Sequence, residues 1–476
     1  MSDVRTDVCV IGGGPAGATV AIRLARFGLR VCVIESGSGA LPVAECLTPA
    51  LQPLLNELGV LPSIEQAGFV RCTQTRVRWS APENAAREGQ ALVVKRAHFD
   101  RILLDASSQA GACVLHARAR RPTPGAEGWV IPTDGTTGSI TVEARFLVNA
   151  AGRHAIRSCL GVPTVALCGR WQDTGMADAR EMRVEAGPTS WCWGAPQPDA
   201  SYGVIAFLDM HDGAGLGPGG RESLYRSLLG RSGFFKHFLG RKLIGQVTVR
   251  DATCRLAGDP VTAQSLRVGD AAFAMDPISS QGVQSAIRSG FQGALVVQTI
   301  LSGGDAGAAI EFYTDVQRGN AQQHRRIATG LYASQALHDS VFWRTRSEGV
   351  VQRQPKALLS PVGLTPETAL RLSADSRLVE LPAIDGNVIR RRAALCHPSL
   401  ERPVVWLADA ALGPALSVIG TGRRFADILR EWSKAMSAET AHRMLQWLLE
   451  RGVLECAECQ LDGQEHLRLA KGPPVP

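Results

Sequence analysis

The sequence predicts an α/β protein: a Rossmann-like nucleotide-binding domain, an inserted β-sheet domain and a small C-terminal α+β domain. Three observations predict it. A strand, glycine turn, helix, strand and acid succeed one another over residues 4 to 35, short alternating segments broken by Pro and Gly fill residues 161 to 254, and a helix, helix, strand pattern lies beyond residue 367. At 476 residues the chain exceeds what one hydrophobic core usually serves, so two or three domains are expected.

The first unit is justified element by element. Asp7 to Ile11 (DVCVI) reads as a buried parallel strand, and Gly12-Gly13-Gly14-Pro15-Ala16-Gly17 spells G-x-G-x-x-G at its end. Gly12 permits the tight turn, Gly14 lets the backbone approach a pyrophosphate, and Gly17 lets the next helix lie close to the strand. That helix, Ala16 to Phe27, turns its N-terminal amides and positive dipole end to a diphosphate. Gly28 stops it, Arg30 to Ile34 gives the second strand, and Glu35 falls at its end, where a carboxylate accepts from both hydroxyls of an adenosine ribose.

This unit alone holds NAD as readily as FAD. Residues Leu266 to Gly282 (LRVGDAAFAMDPISSQG) decide between them. They place Gly269-Asp270 after a short strand, then Asp276-Pro277 and Gly282 ahead of a helix from Val283 to Leu301. Asp270 can accept from a ribityl hydroxyl, and the helix start near Gly282 can stabilise negative charge on a reduced flavin ring. The pattern resembles the second FAD signature of the glutathione-reductase-type flavoprotein monooxygenases and flavin-dependent halogenases. Arg96-Ala97-His98-Phe99-Asp100, before a helix from Arg101 to Ala110, is similar to the R-x-x-F-D stretch of that family, whose arginine reaches the flavin. Asn149-Ala150-Ala151-Gly152-Arg153 is similar to its D-A-x-G-R motif, with Asn149 where an aspartate is usual; Asn keeps the acceptor and loses the charge. The resemblance implies FAD held by Gly12, Gly14, Pro15, Ala16, Gly17, Glu35 and Ser36 at one end and by Arg96, Asp270 and Gly282 at the other.

A further G-x-G-x-x-G can be spelled at Gly215, Gly217 and Gly220, but no acid comes at the needed distance, and five glycines in eight positions read as a loop. With no second nucleotide fold, electrons are expected from NAD(P)H, either binding directly or acting through a partner reductase.

The FAD-binding domain is expected over residues 1–160 and 255–345, with Pro122 to Gly138 as hairpin turns. The sheet domain is expected over 161–254 with part of 56–95, drawing strands from Arg76 to Ser80, Ser190 to Trp193, Ser201 to Leu208 and Gly245 to Thr253. Arg346 to Pro366 reads as a linker, and residues 367–476 as a small winged-helix-like or peptide-chaperoning module or, alternatively, a helical extension of the FAD domain. In it Phe425, Ile428, Leu429 and Trp432 recur at helical spacing, as do Ala441, Met444, Leu445 and Leu448; Ser437 caps the second helix and Gly452 ends it. Cys456 and Cys459 form a lone C-x-x-C, but adjacent Cys396 and His397 cannot easily complete one tetrahedral zinc site, so no metal is expected.

Composition excludes several classes. The net charge of +7 is mostly arginine spread along the chain, a poor footprint for nucleic acid. No run approaches the roughly 20 apolar residues of a membrane span, and the N-terminus lacks the basic start and apolar run of a signal peptide, so a cytoplasmic protein with reduced cysteines is expected.

The chemistry turns on Trp191-Cys192-Trp193-Gly194-Ala195-Pro196, which resembles the halogenase W-x-W-x-I-P motif with Ala195 for Ile; the related isoprenoid double-bond reductases carry an aromatic version of it. Halogenation in that family implies a lysine between flavin and substrate, and the corresponding stretch Gly68 to Trp79 has none. An arginine stays protonated and cannot replace it, which leaves Lys95 as the nearest substitute. Without such a lysine the resemblance implies direct oxygen transfer from a flavin C4a-hydroperoxide to an electron-rich ring. Trp191, Trp193, Asp276 and Pro277 are the expected catalytic set, with Asp276, His154 and His98 as candidate bases. The arrangement resembles maturation flavoproteins that oxidise a tryptophan inside a partner polypeptide during quinone cofactor biogenesis, as for quinohemoprotein amine dehydrogenase. That resemblance implies a protein or peptide substrate. An aromatic halogenase, an isoprenoid reductase and a flavin-silent carrier are the alternatives.

Overall fold

In the computed structural model, residues 4–37, 44–81, 85–135, 138–172, 180–349 and 365–457 are described. The chain divides into two compact units, the larger built from residues before 352 and the smaller from most of those after it.

The larger unit is organised by two sheets. The first runs, edge to edge, Ser265–Arg267, Gly138–Asn149, Val4–Ile11, Val31–Glu35, Cys113–Ala119, Gly128–Gly135 and Thr123–Gly125. Its first five strands are parallel, and the last two fold back as hairpin strands. The central strands are apolar on both faces, as a sheet covered on both sides requires: Val8, Cys9, Val10, Val33 and Val148 are fully buried. Pro15–Arg26 and Gly282–Leu301 are the two helices pressed together against it. Their approach depends on small residues, because a Cβ on Gly290 would meet the Ala16 carbonyl and Thr19 Cβ, both at 2.7 Å, and one on Gly269 would meet Ala16 Cβ at 2.7 Å.

The second sheet runs Thr248–Asp251, Thr164–Gln172, Ser201–Asp209, Trp191–Pro196, Glu181–Ala186, Val70–Arg78, Ala85–Val94 and Glu45–Leu47. Period-2 alternation gives it two apolar faces. Leu167, Cys192, Tyr202 and Val204 meet Tyr225 and Leu229 of the helix Pro218–Gly230, while Ala166, Trp191 and Phe207 project on the opposite side.

Several elements differ from expectation. Residues 56–66, at the start of the 56–95 stretch read as contributing to the sheet domain, belong instead to the helices Gln52–Leu58 and Leu61–Gln66, because Leu51, Leu55, Leu58 and Ile64 share one buried face. The helix expected from Arg101 starts at Arg96, since Phe99 and Leu103 are already on its buried stripe. The glycine-rich loop at Gly215 ends at once in a helix, with Gly217 as N-cap and Pro218 in the first turn. The expected linker starts too early: Arg346 belongs to the helix Val341–Ser347 and is buried, 2.7 Å from Asp209. Its later part, 350–364, lies outside the described residues, as does Cys459.

The smaller unit has its own core. Ala369–Leu372 pairs with Arg423–Arg424 on one side and Leu454–Cys456 on the other, and a hairpin joins Arg377–Asp385 to Val388–Cys396. Ile428, Trp432, Ala441, Met444, Leu445 and Leu448 of the helices Phe425–Trp432 and Ala438–Glu450 bury the stripe read from the sequence. The Ser437 hydroxyl accepts from the Thr440 amide at 3.1 Å and caps the second helix.

The helix crossing is directly testable. Gly290→Ala should lower stability by about 1–3 kcal/mol through overpacking, read as a lower urea midpoint; an unchanged midpoint would mean the two helices are free to separate.

Candidate active site

Three parallel strands end side by side, Ile11 opposite Asn149 and Asn149 opposite Arg267. The turns that leave these strands therefore meet at one edge of the sheet. After the first, Gly12 takes φ +103°, and a Cβ there would lie 2.5 Å from the Ala150 carbonyl. On Gly17 it would lie 1.9 Å from the Gly12 carbonyl, which is the close helix-to-strand contact the motif requires. Gly14 is the opposite case, since nothing stands within 4 Å of its Cβ position. Gly14 is also an N-cap without a side-chain bond, and Pro15 begins the helix, so the first-turn amides around Ala16 face this open space. A cradle of this shape and polarity fits the diphosphate of a dinucleotide. Glu35 stands beside it, oriented by the amides of Gly13 (2.5 Å) and Gly37 (2.7 Å), with exposed Ser36 between.

At the second strand end the Asn149 side chain accepts from the Ala151 amide at 3.1 Å. Arg153 donates to Asp270 at 3.0 Å and to the Asp251 carbonyl, so the second and third strand ends are tied by an ion pair. The Gly269 amide donates to Ser289 at 2.7 Å, fixing the turn that carries Asp270.

Arg96 lies at the start of its helix between two carboxylates, 2.6 Å from Glu45 and 3.0 Å from Asp100. Burial opposes its charge, but Glu45 and Asp100 outweigh that and hold the guanidinium protonated. Burial pushes the Asp100 carboxyl upward, with Arg96 countering. Glu45 also comes within 3.8 Å of the Cβ position of Gly282, the first residue of the 20-residue helix, so Arg96 and that helix start meet through Glu45. The pairing lay beyond sequence reasoning, because no motif includes Glu45.

Trp191 stacks on Phe207 with ring centroids 3.9 Å apart and meets Trp79 edge-on at 6.2 Å. Trp79 in turn meets Trp343 edge-on at 5.2 Å, and Ile278, just past Asp276-Pro277, packs on the same cluster. Half-buried Trp193 lies on the same face, between Val184 and Ile205 of neighbouring strands. The sheet thus brings the tryptophan motif over the turn holding Asp276 and Pro277.

Asp276 caps that turn, accepting from the Ile278 amide at 3.0 Å and from the Tyr332 hydroxyl at 3.1 and 3.2 Å. Burial pushes its carboxyl upward, and the Ile278 amide, Tyr332, Arg346 and Arg153 oppose this. Its backbone amide donates to His324 Nε2 at 2.9 Å. The other two candidate bases stand elsewhere: His98 is exposed with its ring 5.2 Å from Phe69, and His154 is exposed in a short turn. The histidine beside Asp276 is His324, which no motif singled out; its signal was a polar residue on the buried stripe of a helix. Lys95, the halogenase substitute, is an exposed N-cap.

Residues 5–213 match the family described as FAD binding domain. With the fold and the diphosphate cradle, this makes the chain an FAD-dependent enzyme, similar in sequence and fold to flavoprotein monooxygenases and halogenases. The tryptophan 2-halogenase of Chondromyces crocatus is 27% identical over 369 residues, which span 71% of this chain and 70% of that protein. Among solved structures, the peptidyl tryptophan dihydroxylase QhpG, essential for tryptophylquinone cofactor biogenesis, has a TM-score of 0.74 at 25% identity and covers 94% of this chain and 100% of its own. The flavin-dependent halogenase CmlS shares the fold at TM-score 0.74 and 19% identity, over 95% and 96% of the two chains.

Two measurements check the site. Gly14→Trp should abolish FAD retention while leaving the thermal midpoint of the FAD-free protein nearly unchanged, because the added side chain enters the diphosphate space and not the core; a fully yellow variant would contradict the assignment.

Burial lowers the His324 pKa from 6.5 to about 4, in keeping with Nε2 acting as acceptor. The unfolded chain binds the proton first, so the contribution of His324 is complete above pH 6.5 and is lost as pH falls toward 4, by on the order of 3 kcal/mol. His324→Gln, which keeps an acceptor, should flatten the stability–pH curve in that window relative to wild type.

Proposed function

We propose that this chain is an FAD-dependent monooxygenase that hydroxylates an aromatic ring, and that the ring is a tryptophan of a partner polypeptide during quinone cofactor biogenesis. The observation that carries this reading is the composition of the wall over the Asp276 turn. It is aromatic and aliphatic, and the three lysines of residues 1–349, Lys95, Lys236 and Lys242, are all exposed and outside it. A halogenating route in this superfamily runs through a lysine beside the substrate; direct oxygen transfer needs none. The likeness to the peptidyl tryptophan dihydroxylase supports the substrate class: at equal TM-score and similar coverage its identity is 25%, against 19% for CmlS.

Bound FAD, once reduced, supplies the activation of oxygen. The chain supplies the setting. Trp79, Trp191, Phe207 and Trp343 pack on one another and exclude water, and half-buried Trp193 beside them offers a ring face against which an indole can lie. The Asp276 carboxylate stands at the border of that wall to receive the proton that a hydroxylated ring carbon releases. Electrons come from NAD(P)H, directly or through a reductase, and the C-terminal unit serves as a seat for the polypeptide substrate.

The halogenase reading is supported by the tryptophan 2-halogenase and by the equal structural likeness to CmlS, and one assay separates the two. The FAD-loaded protein, an electron donor, oxygen and a candidate tryptophan-containing polypeptide should yield a mass gain of one or two oxygens on tryptophan, independent of halide. A chloride- or bromide-dependent gain of halogen would assign halogenation instead, and reduction of an isoprenoid without oxygen uptake would assign the reductase.

A further inference from the structure

One helix reaches the flavin-side turn twice. Ala306–Ala333 buries both His324 and Tyr332, each 3% exposed. His324 takes the Asp276 amide at 2.9 Å, and the Tyr332 hydroxyl donates to the Asp276 carboxylate at 3.1 and 3.2 Å. Asp276 is therefore gripped at backbone and side chain from the same element. A tyrosine hydroxyl has one hydrogen and two lone pairs, so after donating to Asp276 it can still accept. Beside it lies the Nε1 of Trp191, a buried donor with no well-formed hydrogen bond of its own on a residue 3% exposed. A donor left so is costly unless it has a use, and the Tyr332 oxygen is the acceptor at hand.

We propose that Tyr332 is a positioning residue that joins the tryptophan wall to the flavin-side turn: the Trp191 indole N–H holds its hydroxyl, and its hydroxyl holds the Asp276 carboxylate. The chain of contacts runs from the substrate sheet through the helix Ala306–Ala333 to the residue that borders the start of the flavin helix. It assigns Trp191 a polar duty in addition to its ring face. The inference does not depend on which substrate the enzyme takes.

The groups facing Asp276 set what removing the hydroxyl does. Tyr332 and His324 come from one helix, Arg346 from Val341–Ser347, Arg153 from the second strand end, and Cys254 from the segment after Thr248–Asp251. Arg346 is itself paired with Asp209, and Arg153 with Asp270. Burial pushes the Cys254 thiol up to about 12 and the Tyr332 hydroxyl well above its ordinary range, so neither ionises near neutral pH. Replacing Tyr332 by Phe thus removes one donor to the carboxylate without changing any charge. The Asp276 carboxyl then holds its proton to higher pH.

The test uses the full chain loaded with FAD and compares wild type, Trp191→Phe, Tyr332→Phe and the double variant, with Phe342→Leu as a packing control from the same cluster. Urea midpoints should fall for each single variant, and the double variant should fall no further than the worse single one. Losses that simply add would overturn the Trp191–Tyr332 link. Because the hydroxyl holds the ionised carboxylate, the urea-midpoint loss of Tyr332→Phe relative to wild type should be largest near neutral pH and shrink as pH falls and Asp276 takes up its proton. A loss of the same size at every pH would reduce Tyr332 to packing and overturn its hold on Asp276. The same pH-dependent loss in Phe342→Leu would overturn it too.

Discussion

The structure depends on the in-register ends of three parallel strands. Ile11, Asn149 and Arg267 stand abreast, so residues about 140 and about 255 positions apart in the chain deliver their turns to one sheet edge. The ladder continues one step past the strands, with the Ala150 amide donating to the Ile11 carbonyl and the Val268 amide to that of Asn149. Side-chain freedom is removed where those turns meet. Gly12 and Gly17 have no room for a Cβ, and Gly269 and Gly290 press the second helix onto the first. Gly14 alone in this group faces open space, and it faces it where the helix amides converge. The cradle is thus what remains after every other approach has been closed.

The second sheet turns a generic cofactor domain into an enzyme of one kind. It is apolar on both faces, and each face has a different use. The one under Pro218–Gly230 is a packed core, and even its buried acids are satisfied: Glu185 accepts from the Gly233 and Phe234 amides and pairs with Arg78, and Glu181 pairs with Arg76 and Arg183. The opposite face carries Trp191 and Phe207 toward Ile278 and the helix Val341–Ser347. That helix is pinned to the sheet through backbone carbonyls: Trp343 donates to Gly187 and Ser340 to Pro188. The aromatic wall is therefore closed from both ends of the chain segment that builds it, and a planar ring is the guest its surfaces suit.

How far the sequence could be read depends on the range of each interaction. The nucleotide unit was legible because it is local: glycine spacing, helix length and the position of Glu35 are set within 35 residues. Alternation revealed the strands around Trp191 and Ser201, and Ser437 announced the cap it provides. Partners supplied by topology were not legible. Glu45 meets Arg96 across 51 positions and His324 meets Asp276 across 48, and no local pattern encodes either pair. Residues 56–66 show the remaining weakness, since a few apolar residues among Pro and Gly suit a short helix as well as a strand, and burial against Phe99 and Leu103 decides.

Asn149 shows why a departure from the usual motif does not weaken the site. The turn needs an acceptor for the Ala151 amide, and the Asn149 amide oxygen fills that place at 3.1 Å. What the substitution removes is a negative charge next to Ala150, whose carbonyl lies against Gly12 in the turn that must receive a diphosphate. Arg153 does not depend on that charge, because Asp270 pairs with it at 3.0 Å and the Asp251 carbonyl accepts its other nitrogen. The Arg153 guanidinium and Asp270 carboxylate at the strand ends are already matched, so Glu35 is the carboxylate beside the helix amides and the position of Asn149 adds no second one. The geometry that an aspartate provides is kept by hydrogen bonding, while its repulsion toward the cofactor is absent.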